Sequence, residues 1–265
     1  MASRTKSEKW RKLESAVLNV QRRWGPLALR KLERPPTRRA VPHIPTGLPA
    51  LDRVLGIGGI PKGRVTELLG APTSGKTTLA NIIVAHAQQN GSVGAYVDLS
   101  QTFDPHYAVK CGIDLHDLLI VQPFSGEEAL EMTISLVSSG SVSVLVFDSA
   151  SDLVAGCTSA QFLSSALSHL AGCTAKSHCA LIFLTALTFG GHSSEANYPP
   201  GFGLPYYATV RLLVERERWL RQRGDVWGYS ARMTVIKNKL APPGRWALVR
   251  FVFNGQVRAT SENKH

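Results

Sequence analysis

No stretch of this chain has the roughly twenty consecutive apolar residues that a membrane-spanning helix requires. Its apolar content of 44% is spread instead through short runs, which sets aside a bilayer-embedded protein. The 265 residues are enough to bury a sizeable core. Cysteine is scarce, and Cys111, Cys157, Cys173 and Cys179 show no C-x-x-C spacing. That pattern argues against a disulfide scaffold and fits reduced, structural thiols. The eight histidines form no H-E-x-x-H motif and no Cys/His cluster, so no structural metal is expected. The N-terminus lacks an apolar signal core, and the expected location is the cytoplasm. Acidic residues are outnumbered as well, 19 against 30 Lys and Arg, for a net charge of +11.

What is present is unevenly placed. Residues 1–40 hold twelve basic and three acidic side chains, so nine of the eleven net charges lie there. A basic arm beside a nearly neutral remainder points to a phosphate backbone or an acidic partner surface. Within the arm, Trp10, Leu13, Val17, Val20 and Trp24 recur at steps of three and four, which predicts a helix over 9–24 with one apolar stripe. Gly25-Pro26 ends it, and Pro35, Pro36, Arg38, Arg39 and Pro42 make an extended basic linker. The reading is therefore a helix and linker over 1–40 that contacts a partner or a second copy, a core over 41–258, and a polar tail over 259–265.

The core is organised around Gly70-Ala71-Pro72-Thr73-Ser74-Gly75-Lys76-Thr77-Thr78. Gly70, Gly75, Lys76 and Thr77 spell G-x-x-x-x-G-K-T, the P-loop. Such a loop wraps a triphosphate with its own N–H groups, and a Cβ at either glycine crowds the turn. Lys76 reaches the β- and γ-phosphates, and the Thr77 hydroxyl joins the Mg²⁺ shell. A short apolar run over 65–69 precedes the loop, and Leu79, Ala80, Ile82, Ile83 and Ala87 follow it with helical spacing. Strand, glycine turn and helix N-terminus form the setting the motif needs.

The same alternation continues. Strands are expected over 93–99, 118–121, 142–147 and 180–185, and helices over 104–111, 127–137 and 159–175. That rhythm predicts an α/β fold with a mainly parallel sheet between helices. The stretches 209–215, 230–236 and 246–253 are strand-like with no helix between them, and should form an antiparallel extension. The strand over 142–147 runs into Asp148, followed by Ser149. A P-loop ATPase needs an acid at a neighbouring strand tip to steady the Mg²⁺ shell.

With both elements in view, the chain resembles the RecA family of recombinases in its bacterial branch. The resemblance is carried by Ile44-Pro-Thr-Gly before Leu51-Asp52 and by 56–63, 70–78, 98–107, 146–149 and Ile236-Lys-Asn-Lys-Leu-Ala-Pro. It covers nearly the whole chain, with the family's large C-terminal domain expected to be missing. The resemblance implies a RecA-like P-loop NTPase core that takes ATP and Mg²⁺, with Lys76 and Asp148 as its catalytic residues. It implies that Asp104 and Tyr107 flank the adenine, and that Lys237 and Lys239 reach the triphosphate of a neighbouring subunit. The residues alone suggest less, since a Tyr near a helix start is usually core and paired lysines usually face water.

Departures from the family pattern shape the functional reading. The catalytic glutamate that the resemblance places after the 93–99 strand is Ser100 here, with Gln101 beside it. Serine is no general base at neutral pH, and losing that base removes about 10²–10⁴ in rate. Glutamine can orient a water, as in some GTPases. The family's switch glutamine falls on Ala186. The first DNA loop is cut to 152–159, and the second, over 189–203, keeps His192 and Tyr198 but has no Lys or Arg. Single-strand binding combines cationic contacts with stacking platforms, so the N-terminal arm and Arg216, Arg218, Arg221 and Arg223 are the better DNA candidates. With Glu215, Glu217 and Asp225 among them, these arginines also read as a solvated charged hairpin, the slightly favoured alternative. The expectation is an ATP-binding protein of DNA repair, recombination and the SOS response to DNA damage. Its expected role is that of an accessory, as in ImuA-type relatives, assembling with RecA, itself or a translesion complex, with weak hydrolysis. The alternative is an autonomous recombinase forming filaments on single-stranded DNA.

Overall fold

The structure is a computed structural model that describes residues 2–26, 28–29, 40–157, 159–187, 198, 202–254 and 256–262. The chain divides into two compact units, Met1–Ala40 and Val41–His265. The first contains helix α1 (Ala2–Trp24), seven residues longer at its start than the periodicity predicts. Helix α1 stops where Gly25 takes φ +93° and its N–H caps the Gln21 carbonyl. Trp10, Leu13 and Trp24 of the predicted stripe are exposed. The basic linker with Pro35, Pro36, Arg38 and Arg39 lies outside the described residues.

The second unit begins with β1 (His43–Ile44), α2 (Pro49–Leu55) and β2 (Ile60–Pro61), with β1 and β2 paired antiparallel. The Thr46 hydroxyl donates to Asp52 across the turn before α2 (2.8 Å), which explains the Thr-Gly and Leu-Asp signature read from sequence. Then come β3 (Arg64–Gly70), α3 (Lys76–Gln88), β4 (Gly94–Asp98), α4 (Pro105–Lys110), β5 (Leu118–Val121) and α5 (Gly126–Ser139). They are followed by β6 (Val144–Asp148), α6 (Ala150–Gly156), α7 (Ala160–Lys176), β7 (Ala180–Ala186) and α8 (Leu204–Tyr207). The chain closes with β8 (Val210–Gln222), β9 (Asp225–Asn238), β10 (Trp246–Asn254) and β11 (Gln256–Glu262).

Among the described residues, nine strands form one sheet in the order β11-β10-β9-β8-β3-β7-β6-β4-β5. From β8 to β5 every pairing is parallel, and from β8 to β11 every pairing is antiparallel. The α/β reading with an antiparallel extension therefore holds. Central strands such as β6 and β7 are apolar and buried along almost their whole length, as parallel strands covered on both faces must be. One apolar cluster packs α2, α3 and α4 on one face, and a second packs α5, α6 and α7 on the other. Helix starts follow local chemistry: Ser125 caps α5 by accepting from Glu128 N–H, and Ser159 caps α7 by accepting from Phe162 N–H.

Two expectations need correction. Strand β11 continues the sheet through 262, where the sequence reading ends the core at 258 and leaves only a polar tail. Its polar residues pair through backbone with β10, a ladder that needs no apolar pattern. The predicted strands 209–215 and 230–236 are also far too short. Strands β8 and β9 run on to a two-residue turn at Arg223 and Gly224, both with positive φ, which suits the twist of a hairpin. The arginine run is thus the outer half of a long β-hairpin, and Arg218, Arg221 and Arg223 are exposed there.

Candidate nucleotide site

The phosphate loop leaves the end of β3 and enters α3 in a shape that only glycine permits at two points. A Cβ on Gly70 would lie 2.3 Å from the Val214 carbonyl oxygen and 2.5 Å from Ser74 Oγ. Gly75 sits at φ +105°, and a Cβ there would lie 2.5 Å from the Tyr229 hydroxyl. Thr73 is also in the left-handed region, at φ +61°. Lys76 curls back over the loop, donating to the carbonyls of Gly70 (2.7 Å) and Ala71 (2.8 Å). Burial pushes its pKa down to about 8, partly offset by the charge of Asp148. Ser74 Oγ is buried without a partner among the described residues, while Thr77 is exposed at the first turn of α3. A cradle closed to any Cβ, an orphaned hydroxyl and a helix N-terminus together suit an anionic phosphate chain.

Asp148 stands at the tip of β6 beside this loop. Its register partner on β4 is Asp98, and the Tyr96 hydroxyl donates to its Oδ2 at 2.6 Å. Burial raises the Asp148 pKa, the Tyr96 hydrogen bond lowers it, and Asp98 and Asp152 raise it further. A divalent cation would add its positive charge to that of Lys76 in this acidic, mostly buried corner, with Thr77 and Asp148 as the residues that would hold its shell. Asp98 is fully buried and holds the following loop, accepting from Thr102 N–H (2.9 Å), Phe103 N–H (3.0 Å) and the Gln122 amide (3.3 Å). On that loop Gln101 has φ +56°, and the Ser100 hydroxyl is paired with that of Thr102 at 2.9 Å.

Asp104 caps α4 by accepting from Tyr107 N–H (3.0 Å), and the Tyr107 hydroxyl meets the Thr78 hydroxyl at 2.7 Å. Both residues therefore stand against the start of α3. Tyr107 lines a cavity of about 230 Å³ with residues 73–78, Trp219, Tyr229 and Phe253. It also lines one of about 360 Å³ with Thr77, Asn81, Tyr96, Thr102, Phe103, Asp104 and Asp148. Gly70 through Thr78, Asp104, Tyr107 and Asp148 are thus brought together. Ala186 is drawn in too, as the register partner of Gly70 on β7.

Lys237 and Lys239 stand apart from this corner. Lys237 Nζ donates to the carbonyls of Pro205 (2.5 Å) and Tyr206 (3.2 Å), and Lys239 Nζ donates to that of Tyr206 (3.0 Å). Burial lowers the Lys237 pKa, and the neighbouring charges of Lys239 and Arg211 lower it further. The segment 152–159, expected to be a trimmed loop, is the end of α6 and the cap of α7. Of 189–203 only Tyr198, Phe202 and Gly203 are described, and His192 lies outside the described residues.

Sequence reasoning passed over several residues that the fold delivers to the site, Tyr96, Trp219, Tyr229 and Phe253, and read Arg216 as a DNA candidate where the fold sets it on Thr73 of the loop. Trp219, Tyr229 and Phe253 form one aromatic cluster, with Tyr229 centroids 5.9 Å from Trp219 and 5.7 Å from Phe253. Only Phe253 falls in a stretch read as a strand, and the strand pairing that brings the three aromatics to the phosphate loop is not visible in the sequence. Tyr96 carried a readable signal, a lone phenol between the apolar Ala95 and Val97, since a buried hydroxyl needs a partner.

Comparison with known proteins gives the family. Residues 11–258 match the RecA N-terminal domain. Protein RecA of Chloroflexus aggregans is 41% identical over 258 residues, covering 91% of this chain and 73% of the relative. Protein RecA of Herpetosiphon aurantiacus is 40% identical over 265 residues, covering 93% and 73%. Protein RecA of Aquifex aeolicus is 40% identical over 255 residues, covering 89% and 73%. In three dimensions the crystal structure of the RadB recombinase aligns with TM-score 0.61 at 23% identity, covering 83% of this chain and all of that one, a likeness of fold. With a phosphate loop, a strand-tip acid and the sheet order in place, the chain belongs to the RecA family, the recombinases of DNA repair and recombination.

Proposed function

We propose that this protein binds ATP with Mg²⁺ and serves DNA repair as an accessory of recombination, with slow hydrolysis or none. In this reading the N–H groups of 71–78 and Lys76 take the phosphates, Thr77 and Asp148 hold the metal's shell, and Asp104 and Tyr107 border the base. Bound Mg²⁺ would neutralise charge on the β- and γ-phosphates. The observation that carries the accessory reading is Ser100, whose hydroxyl is engaged by Thr102 where the family resemblance implies a glutamate. Ala186 beside Gly70 adds to it, because an alanine has no side-chain group with which to sense a γ-phosphate. The partners in this proposal are RecA or a second copy, and single-stranded DNA reached through the basic arm and the hairpin arginines. A cytoplasmic setting and an SOS role belong to the same proposal.

Steady-state ATPase, with and without single-stranded DNA and RecA, tests it. Magnesium-dependent nucleotide binding with negligible turnover and association with RecA is the expected result, and DNA-stimulated turnover of ordinary size overturns it. That opposite result would fit an autonomous recombinase, a reading supported by the intact arrangement of Lys76, Thr77 and Asp148. Electron microscopy with a non-hydrolysable ATP analogue, with and without DNA and RecA, separates filaments of this chain from its addition to another filament.

A further inference from the structure

Tyr96 is an unusual side chain for its place. It lies in the middle of β4, is 1% exposed, and is flanked in that strand by Ala95 and Val97, which are fully buried. A phenylalanine would fill the same space without the cost of burying a hydroxyl, which must be met by a hydrogen bond. Here the hydroxyl is met by Asp148 Oδ2 at 2.6 Å, a length typical of a charge-assisted bond.

The pairing follows from register. Strands β4 and β6 are parallel, with Tyr96 opposite Val146 and Asp98 opposite Asp148. Residues two apart on a strand share a face, so Tyr96 rises on the same face as Asp98 and Asp148. It starts about 6.6 Å behind Asp148 along the strand direction, an offset that the long tyrosine side chain spans and a serine or threonine does not. The ring is fixed by Phe103, with centroids 4.8 Å apart and planes at 57°. Phe103 is itself held by its N–H to Asp98. The donor that meets Asp148 thus sits on a rigid strand and is packed from the loop side.

The same two residues border the cavity that holds Thr77 and Asn81. Asn81 lies one helical turn beyond Thr77 on α3 and is 2% exposed, and its Oδ1 is buried without a hydrogen-bond partner among the described residues. Asn81 and Asp148 line the same cavity, and a buried amide oxygen left unpaired among the described residues is a second sign of a polar, hydrated solute there.

We infer that Tyr96 is a positioning residue for the metal: by holding Oδ2, it fixes the Asp148 carboxylate so that the other oxygen meets the water shell of a divalent cation shared with Thr77. This rests on the reading of the site as an ATP–Mg²⁺ site and adds a residue to it. Partners of this outer kind typically set metal affinity by 10- to 100-fold.

The test is Tyr96→Phe, which deletes one oxygen and preserves the ring. Binding of a fluorescent ATP analogue is titrated first in excess chelator and then across a Mg²⁺ series. The expected variant binds metal-free nucleotide within about twofold of the parent and unfolds at a similar temperature, but needs roughly 10-fold more Mg²⁺ for half its effect. In an Asp148→Asn background the same substitution should change the Mg²⁺ requirement no further. An unchanged Mg²⁺ requirement in Tyr96→Phe overturns this inference alone. Loss of metal-free binding to the same degree as metal-bound binding also overturns it, because that marks a merely structural role. If the parent protein shows no Mg²⁺-enhanced nucleotide binding, the reading of the whole site fails and this inference fails with it.

Discussion

Arg216 and Thr73 are 143 positions apart, yet one Nη1 of the arginine donates to both the carbonyl and the hydroxyl of the threonine, each at 3.1 Å. The guanidinium also lies over the Trp219 ring, 4.1 Å from its centroid. The β8–β9 hairpin is thereby tied to the tip of the phosphate loop at the residue whose backbone is in the left-handed region. A non-glycine residue there costs of order 1–3 kcal/mol unless its surroundings hold it. Arg216→Ala should weaken nucleotide binding roughly 5- to 10-fold with little change in unfolding temperature. Arg216→Lys should recover only part of the loss, because an ammonium lacks the planar fork and stacks poorly on indole. Calorimetric titration with ADP checks both variants, and an Arg216→Ala affinity equal to the parent's would show that the loop holds its own shape.

The lowered pKa of Lys76 gives nucleotide affinity a definite pH dependence. Below about 8 the free protein already carries the ammonium. Above that value it is neutral before binding, so phosphate capture must take up a proton, and affinity should fall as pH rises by up to about tenfold per unit. Affinity should be flat between pH 6.5 and 7.5 and decline from 8 to 9.5. Lys76→Ala should bind too weakly to measure at every pH. A parent profile that stays level to pH 9.5 contradicts the assignment.

Ser100→Glu restores the carboxylate that the family resemblance implies, on a loop already pinned by Asp98. The restored base should raise ATP turnover by about 10²-fold, the lower end of what a general base contributes. Phosphate release in the presence of single-stranded DNA measures it. No increase would place the defect elsewhere, with Ala186 the first position to examine.

Glu67 and Arg211 form a buried ion pair between β3 and β8, 2.6 Å apart, with the glutamate side chain fully buried. Thr185 donates to the other carboxylate oxygen at 2.8 Å, and Tyr198 donates to Thr185 at 3.3 Å. Burial raises the Glu67 pKa, against the opposing pull of Arg211. Glu67→Ala leaves the arginine uncompensated and should cost about 3–5 kcal/mol of stability. The double variant Glu67→Met with Arg211→Met should recover most of that, because two apolar side chains leave no stranded charge. Urea unfolding of the three proteins decides it. Equal losses in single and double variants would mean that the pair itself, and not an orphaned arginine, carries the stability.

Much of the site was legible because its chemistry is local. Gly70, Gly75, Lys76 and Thr77 act through a loop of consecutive residues, and Asp148 is marked by the apolar strand it terminates. Asp104 entered only through the family resemblance, although it too acts locally, as a cap three residues from the N–H it accepts. The hairpin was harder to read. Val226 and Trp227 are exposed and the strands carry register shifts near Arg216 and Leu220, so the outer half of β8 and β9 shows no clean period of two. Strand β11 was missed for a related reason, since a polar edge strand held by backbone pairing looks like a tail.

Most of the strand–helix alternation from β3 to β7, the phosphate loop and the basic arm were determined by the sequence alone, because each depends on neighbours within a few positions. Periodicity says which face of a strand is buried, but not which strand lies beside it. Only tertiary structure decided that β4 would bring Tyr96 to Asp148, that β8 would bring Arg216 to Thr73, and that Glu67 would meet Arg211. Those contacts depend on crossover connections and register, which are settled by packing two helical layers against one twisted sheet.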